Sequence, residues 1–95
     1  MKRLSVQLGA AFPNPSRAEV RWTLELPVTR RVTADIVDLA GRRITRIIDG
    51  DLQAGRHALA WDGHAGNGRG AANGVYFLRV DVDGTTIVRR VARID

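Results

Sequence analysis

The stretch Leu59-Ala60-Trp61-Asp62-Gly63-His64-Ala65-Gly66-Asn67-Gly68-Arg69-Gly70-Ala71-Ala72-Asn73-Gly74-Val75-Tyr76-Phe77-Leu78-Arg79-Val80-Asp81-Val82 decides how the rest of the chain is read. At its left end Leu59 and Trp61 alternate with Ala58, Ala60 and Asp62; at its right end Tyr76, Leu78, Val80 and Val82 alternate with Phe77, Arg79 and Asp81. A repeat of two belongs to a half-buried strand, not to a helix. Between the two runs lie Gly63, Gly66, Gly68, Gly70 and Gly74 with Asp62, Asn67 and Asn73, residues that supply positive φ angles and short side-chain caps. The segment predicts strand, long glycine-rich turn, strand.

The same period recurs on both sides. Leu4, Val6 and Leu8 make a short first strand, which Phe12-Pro13-Asn14-Pro15-Ser16 stops because proline removes ladder donors. Phe12 reads as a plug at the sandwich edge. Val20, Trp22, Leu24 and Leu26 alternate with Arg21, Thr23 and Glu25 until Pro27. Val32, Ala34 and Ile36 form a third strand, closed by a turn at Asp38-Leu39-Ala40-Gly41. Ile44, Arg46 and Ile48 form a fourth, with turn signals at Asp49-Gly50 and Gln53-Ala54-Gly55, and His57, Leu59 and Trp61 a fifth. Asp83-Gly84 is a two-residue hairpin signal after the sixth. The last strand, Thr85 to Ile94, breaks its alternation near Arg89-Arg90, where a bulge is expected.

About seven short strands with frequent turns and no helical window predict an all-β chain, an immunoglobulin-like antiparallel β-sandwich. The expected core is Val6, Trp22, Leu24, Val32, Ala34, Ile36, Ile44, Leu59, Trp61, Tyr76, Leu78 and Val80. At 95 residues, the length of one domain spanning 1–95, such a chain folds without disulfides, and it has no cysteine. No run approaches the roughly 20 apolar residues of a membrane helix, and Leu4 to Phe12 is too polar for a signal peptide's apolar core. The formal charge of +5 comes almost wholly from arginine. The arginines are scattered in pairs among acids, with no basic helix and no aromatic-studded strand, so the charge reads as a solvated surface rather than a nucleic-acid site.

The order of these signals resembles the FlgD immunoglobulin-like domain family and the related type A C-terminal sorting domains of bacterial type IX secretion. The resemblance runs through Phe12-Pro13-Asn14-Pro15-Ser16, Leu24-Glu25-Leu26-Pro27, Ile36-Val37-Asp38-Leu39-Ala40-Gly41-Arg42-Arg43-Ile44, Gly55 to Gly63 and Asn73 to Val80. Pro13, Asn14, Pro15, Gly41, Trp61, Asp62, Gly63, Gly74 and Tyr76 are the structural positions within it. Trp61-Asp62-Gly63 is closer to the hook-capping branch; the Pro13-Asn14-Pro15 opening and the chain's end shortly after Arg89-Arg90 are closer to a sorting tail. The resemblance implies a non-catalytic module of a secreted or surface bacterial protein, whose leader lies outside this chain. Its partners would be protein, either secretion machinery or other domains of the parent, and the isolated domain would be monomeric.

Chemistry-bearing constellations are sparse. Asp62 and Asn67 give the glycine-rich loop a calcium-like composition, yet one carboxylate falls short of the six to eight oxygens calcium takes, so Asp62 is read as a turn cap. His57 and His64 lack ligand spacing, and neither Ser5 nor Ser16 sits in a nucleophile turn. Neither an enzyme nor a cofactor is expected. Tyr76 reads as a core aromatic whose hydroxyl bonds backbone near a sheet corner. Arg89, Arg90 and Arg93 on the last strand are the candidate sorting or partner surface, weighed evenly against an edge strand guarded by charge. The alternatives are a hook-cap assembly domain and a carbohydrate-binding sandwich, the latter disfavoured because most of the five aromatics fall in inward registers.

Overall fold

Seven strands and no helix form among residues 5–94, the part that the computed structural model describes. They are β1 (Gln7–Leu8), β2 (Val20–Leu26), β3 (Arg30–Val37), β4 (Arg43–Leu52), β5 (Gly55–Trp61), β6 (Gly74–Val82) and β7 (Thr85–Arg93). One sheet has the order β1-β2-β5 and the other β4-β3-β6-β7, every pair antiparallel. In the constant-type immunoglobulin sandwich the fourth strand joins the sheet of the first, second and fifth. Here β4 pairs with β3 instead, across a turn in which the Asp38 carboxylate accepts the N–H groups of Ala40 and Arg42, both at 2.9 Å. Gly41 supplies the left-handed φ of 81° that this turn requires.

Apolar alternation explains the packing. Val20, Trp22, Leu24 and Leu26 of β2 face Val32, Ala34, Ile36, Leu78, Val80, Val82 and Val91 across the sandwich, all buried. Leu59, Trp61 and Tyr76 complete this core, and the Trp61 and Tyr76 rings meet edge-to-face at 5.3 Å. Val6 and Ile44, expected in the core, are half-buried and pack against it. Leu4 lies outside the described residues. The β6–β7 hairpin turns at Asp83 (φ 51°) and Gly84 (φ 86°), two successive positive φ angles as in a type I′ turn.

Four details differ from the sequence reading. Phe12 is not a plug: its backbone pairs with Arg21, which buries Ala11 and leaves the Phe12 ring 78% exposed. Asp49-Gly50 is not a turn, because β4 runs on to Leu52 with Thr33 opposite Asp49 and Val32 opposite Gly50. No bulge occurs in β7, whose register with β6 is unbroken from Gly74↔Arg93 to Val82↔Thr85. The register shifts fall instead on the β3–β4 pair, between Ala34 and Asp35 and between Ile36 and Val37. The first makes Ile47 the extra residue, so that it packs on the core beside Ile48, and the second leaves Ile44 as an extra residue that packs there too.

Candidate functional site

Trp61, Asp62 and Gly63 build a corner where β5 enters the glycine-rich loop. The buried Trp61 donates its Nε1–H to the His64 carbonyl at 2.9 Å, and the Asp62 carboxylate accepts the His64 N–H at 2.9 Å. Gly63 is buried with φ 85°, and the Arg93 guanidinium occupies the space where a side chain would start: a Cβ would lie 2.2 Å from Arg93 Nη1. The rest of the loop folds on itself. Ala65 donates to Arg69 at 2.7 Å, Ala71 to Gly63 at 2.8 Å, and Gly66 to Ile44 on β4 at 3.0 Å. At its exit Gly74 has φ 150°, and the Tyr76 hydroxyl donates to the Ala72 carbonyl at 2.7 Å.

The loop and the β4–β5 side frame an open groove of ≈ 620 Å³, lined by Glu19, Thr45, Trp61, Asp62 and His64 among others. Two of its carboxylates are engaged: Asp62 caps the His64 N–H, and Glu19 pairs with Arg21 at 2.7 Å. Among the described residues no three histidine or carboxylate side chains gather as metal ligands would.

Pro13, Asn14 and Pro15 lie along the outer edge of β7. Asn14 Oδ1 accepts the Ala92 N–H at 3.0 Å, its Nδ2 reaches the Arg90 carbonyl at 3.5 Å, and the Phe12–Pro13 and Asn14–Pro15 peptides are cis. Ser16, which the sequence reading took only as the end of the proline stop and not as a nucleophile, is fully buried. Its N–H donates to the Ala92 carbonyl at 2.8 Å, its own carbonyl accepts from Ile94 at 3.0 Å, and its hydroxyl donates to the Ala18 carbonyl at 2.9 Å. A small side chain directly after Pro15 was the available signal.

The three arginines of β7 occupy two faces. Arg89 and Arg93 share the core-facing register of Ile87 and Val91, opposite Leu78 and Gly74. Arg89 Nε donates to the Leu8 carbonyl at 3.0 Å, tying β7 to the other sheet, and Arg93 Nη1 donates to the Ala18 carbonyl at 3.1 Å while lying over Trp61. Arg90 points outward, exposed, across from Phe77.

That outward face carries a second feature absent from the sequence reading. Asp35 is 1% exposed although it sits on the solvent side of β3, because Arg46 covers it with bonds of 2.8 and 3.2 Å and Arg79 adds one of 3.4 Å. The hydrogen bond from Arg46 holds the Asp35 carboxyl below the usual carboxylate range, against the opposing effect of burial and with help from the charges of Arg46, Arg43 and Arg79. A central ion cluster of this kind puts acid and arginine side by side in the middle of the face.

The sequence model of the FlgD Ig-like domain matches residues 11–85, most of the chain. This chain belongs to the FlgD Ig-like domain family. That family is a non-catalytic domain. Among solved structures the FlgD Ig-like chain is similar to dimeric latent PorU from Porphyromonas gingivalis, with a TM-score of 0.73 and 18% identity over 97% of this chain and 10% of that one. It is also similar to PorZ, an essential bacterial surface component of the type-IX secretion system of the same organism, with a TM-score of 0.61 and 21% identity over 95% of this chain and 11% of that one. These likenesses establish the fold. The chain thus spans about a tenth of either protein's length. No curated protein matches it. No helix among the described residues is long and apolar enough to cross a membrane.

Proposed function

We propose that residues 1–95 act as one non-catalytic module of a secreted or surface bacterial protein, serving to sort, anchor or space it, in the manner of a type IX secretion tail. The observation that carries this reading is the fold's recurrence as about a tenth of PorU and of PorZ, the latter a surface component of that secretion system. The mechanism is recognition: the core, with Arg89 and Arg93 tied into it, keeps the module folded while the outward side of its last strand, with Arg90, meets protein of the export or surface apparatus. The family match supports a role without catalysis.

The test is delivery of a fluorescent protein carrying residues 1–95 behind a leader peptide, in a bacterium with type IX secretion, beside the same fusion truncated after Gly84. Surface fluorescence with the whole module and periplasmic retention without its last strand is the expected result. Retention of both would overturn sorting and leave the structural role of the hook-cap branch. Family membership favours that second reading, which predicts that the isolated domain self-associates in size-exclusion runs.

A further inference from the structure

We infer that the open edge of β7, from Thr86 to Arg90, is a docking site for an extended acidic segment of another polypeptide, which adds to the four-stranded sheet as a fifth strand. The inference is a property of the edge itself and holds whether the module sorts, anchors or spaces.

In an antiparallel pair alternate residues turn their N–H and C=O to the same edge. Ala92 turns both away from β6, since Asn14 and Ser16 bind them. Arg90, Val88 and Thr86, in step with Ala92, therefore direct theirs outward too. Along that half of the edge the chain supplies little: Asn14 Nδ2 touches the Arg90 carbonyl at 3.5 Å, and Arg89 Nη1 donates to the Val88 carbonyl at 3.0 Å. Among the described residues, the N–H groups of Thr86, Val88 and Arg90 and the Thr86 carbonyl have no partner outside their own hairpin.

A strand edge with unpaired donors and acceptors is a template for another strand. Here the template is already half used. Ser16 bridges Arg93 in parallel, so the edge accepts an extended segment without rearrangement of β7. The side chains define the occupant. β7 reads Thr85-Thr86-Ile87-Val88-Arg89-Arg90-Val91-Ala92-Arg93, with three arginines and no acid. On the outer face Val88 is 46% exposed, and Arg90 makes no ion pair among the described residues. A strand laid beside them places its own residues against that row, where an acidic side chain complements Arg90 and a β-branched one covers Val88. A basic strand would meet like charge.

The experiment uses the whole 95-residue chain and a short probe peptide alternating valine with glutamate, its lysine-for-glutamate counterpart, and the acidic peptide methylated at backbone nitrogens along one edge. Isotope-edited NMR should show saturable shifts of the Thr86, Val88 and Arg90 amides with the acidic peptide, with binding at least about tenfold weaker for the basic peptide and for the methylated one. Val88→Pro removes an outward N–H that the β6 ladder does not use, and Arg90→Glu reverses the charge; each should weaken binding by about tenfold or more. If Val88→Pro fails to fold, the methylated peptide on the unaltered protein carries the same test. Equal binding of methylated and unmethylated peptides, no binding of the acidic peptide, or pairing of β7 edges between two copies in its place would each overturn the inference.

Discussion

The guanidinium carbon of Arg93 lies 5.4 Å from the centroid of the Trp61 ring, and the same guanidinium fills the space above the Gly63 Cα. Trp61-Asp62-Gly63 is thus the receiving half of a latch that closes the end of β7 onto the β5 corner. Tryptophan supplies the face, aspartate caps the turn, and glycine leaves room.

This predicts that Gly63→Ala destabilises the fold through two separable effects. A left-handed φ of 85° costs an L-residue about 1–2 kcal/mol. The Cβ also displaces Arg93, whose stacking on Trp61 contributes about 0.5–1 kcal/mol. In an Arg93→Ala background the second effect disappears, so a urea double-mutant cycle should show the double variant losing less stability than the sum of the two single variants. Strict additivity would mean that the guanidinium moves aside at no cost.

Arg89→Met should cost about 1–3 kcal/mol, because it leaves the Leu8 carbonyl without its charged donor between the sheets. Arg90→Met, on the exposed outer face, should stay within about 0.5 kcal/mol. Chemical denaturation of both variants separates the structural arginine from the surface one.

How far the sequence carried this follows from what a period of two can encode. It assigned β2, β5 and β6 correctly because each has one apolar and one polar face. It misjudged β7 because Arg89 is a polar residue in an inward register; the break in hydrophobicity is a side chain reaching Leu8, not a bulge. In β4 the reverse happened: a register shift at Ile47 brings Ile47 and Ile48 both against the core, and alternation has no term for an extra residue. Asp35 and Ser16 were invisible for another reason. Asp35 is covered by arginines from two other strands, and Ser16 by its pairing with Ala92 and Ile94 at the far end of the sequence. The Asp62 cap and the Tyr76 hydroxyl bond are local, at separations of two and four residues, and were legible.

The ion cluster on the outer face makes stability sensitive to acid. The folded-state pKa of Asp35 is lowered, so its contribution is fully present above the unfolded value near 3.9 and is lost as pH falls toward the folded value. Arg46→Met removes the principal cause of that depression, narrows the gap between the two states and should flatten the acid limb of the stability curve. Urea midpoints measured from neutral pH down through the carboxylate range check this. An unchanged limb in Arg46→Met would place the acid sensitivity elsewhere.

Phe12 and Trp22 reverse the usual expectation that aromatic residues matter alike. Phe12→Ser should shift stability by no more than about 0.5 kcal/mol, since its ring is 78% exposed. Trp22→Ala, at 1% exposed, should cost about 3–5 kcal/mol, a large share of the stability of a domain of this size. Thermal unfolding of the two proteins side by side decides the matter; comparable losses would return Phe12 to the core.

The most direct test of the whole account combines surface delivery with folding for one variant, Arg90→Glu, in the fluorescent fusion described above. Arg90 faces outward on an otherwise structural strand. The account predicts a urea midpoint equal to that of the parent and loss of delivery to the surface. Full delivery with the reversed charge, at the same midpoint, would contradict the claim that this module is read through the exposed side of its last strand.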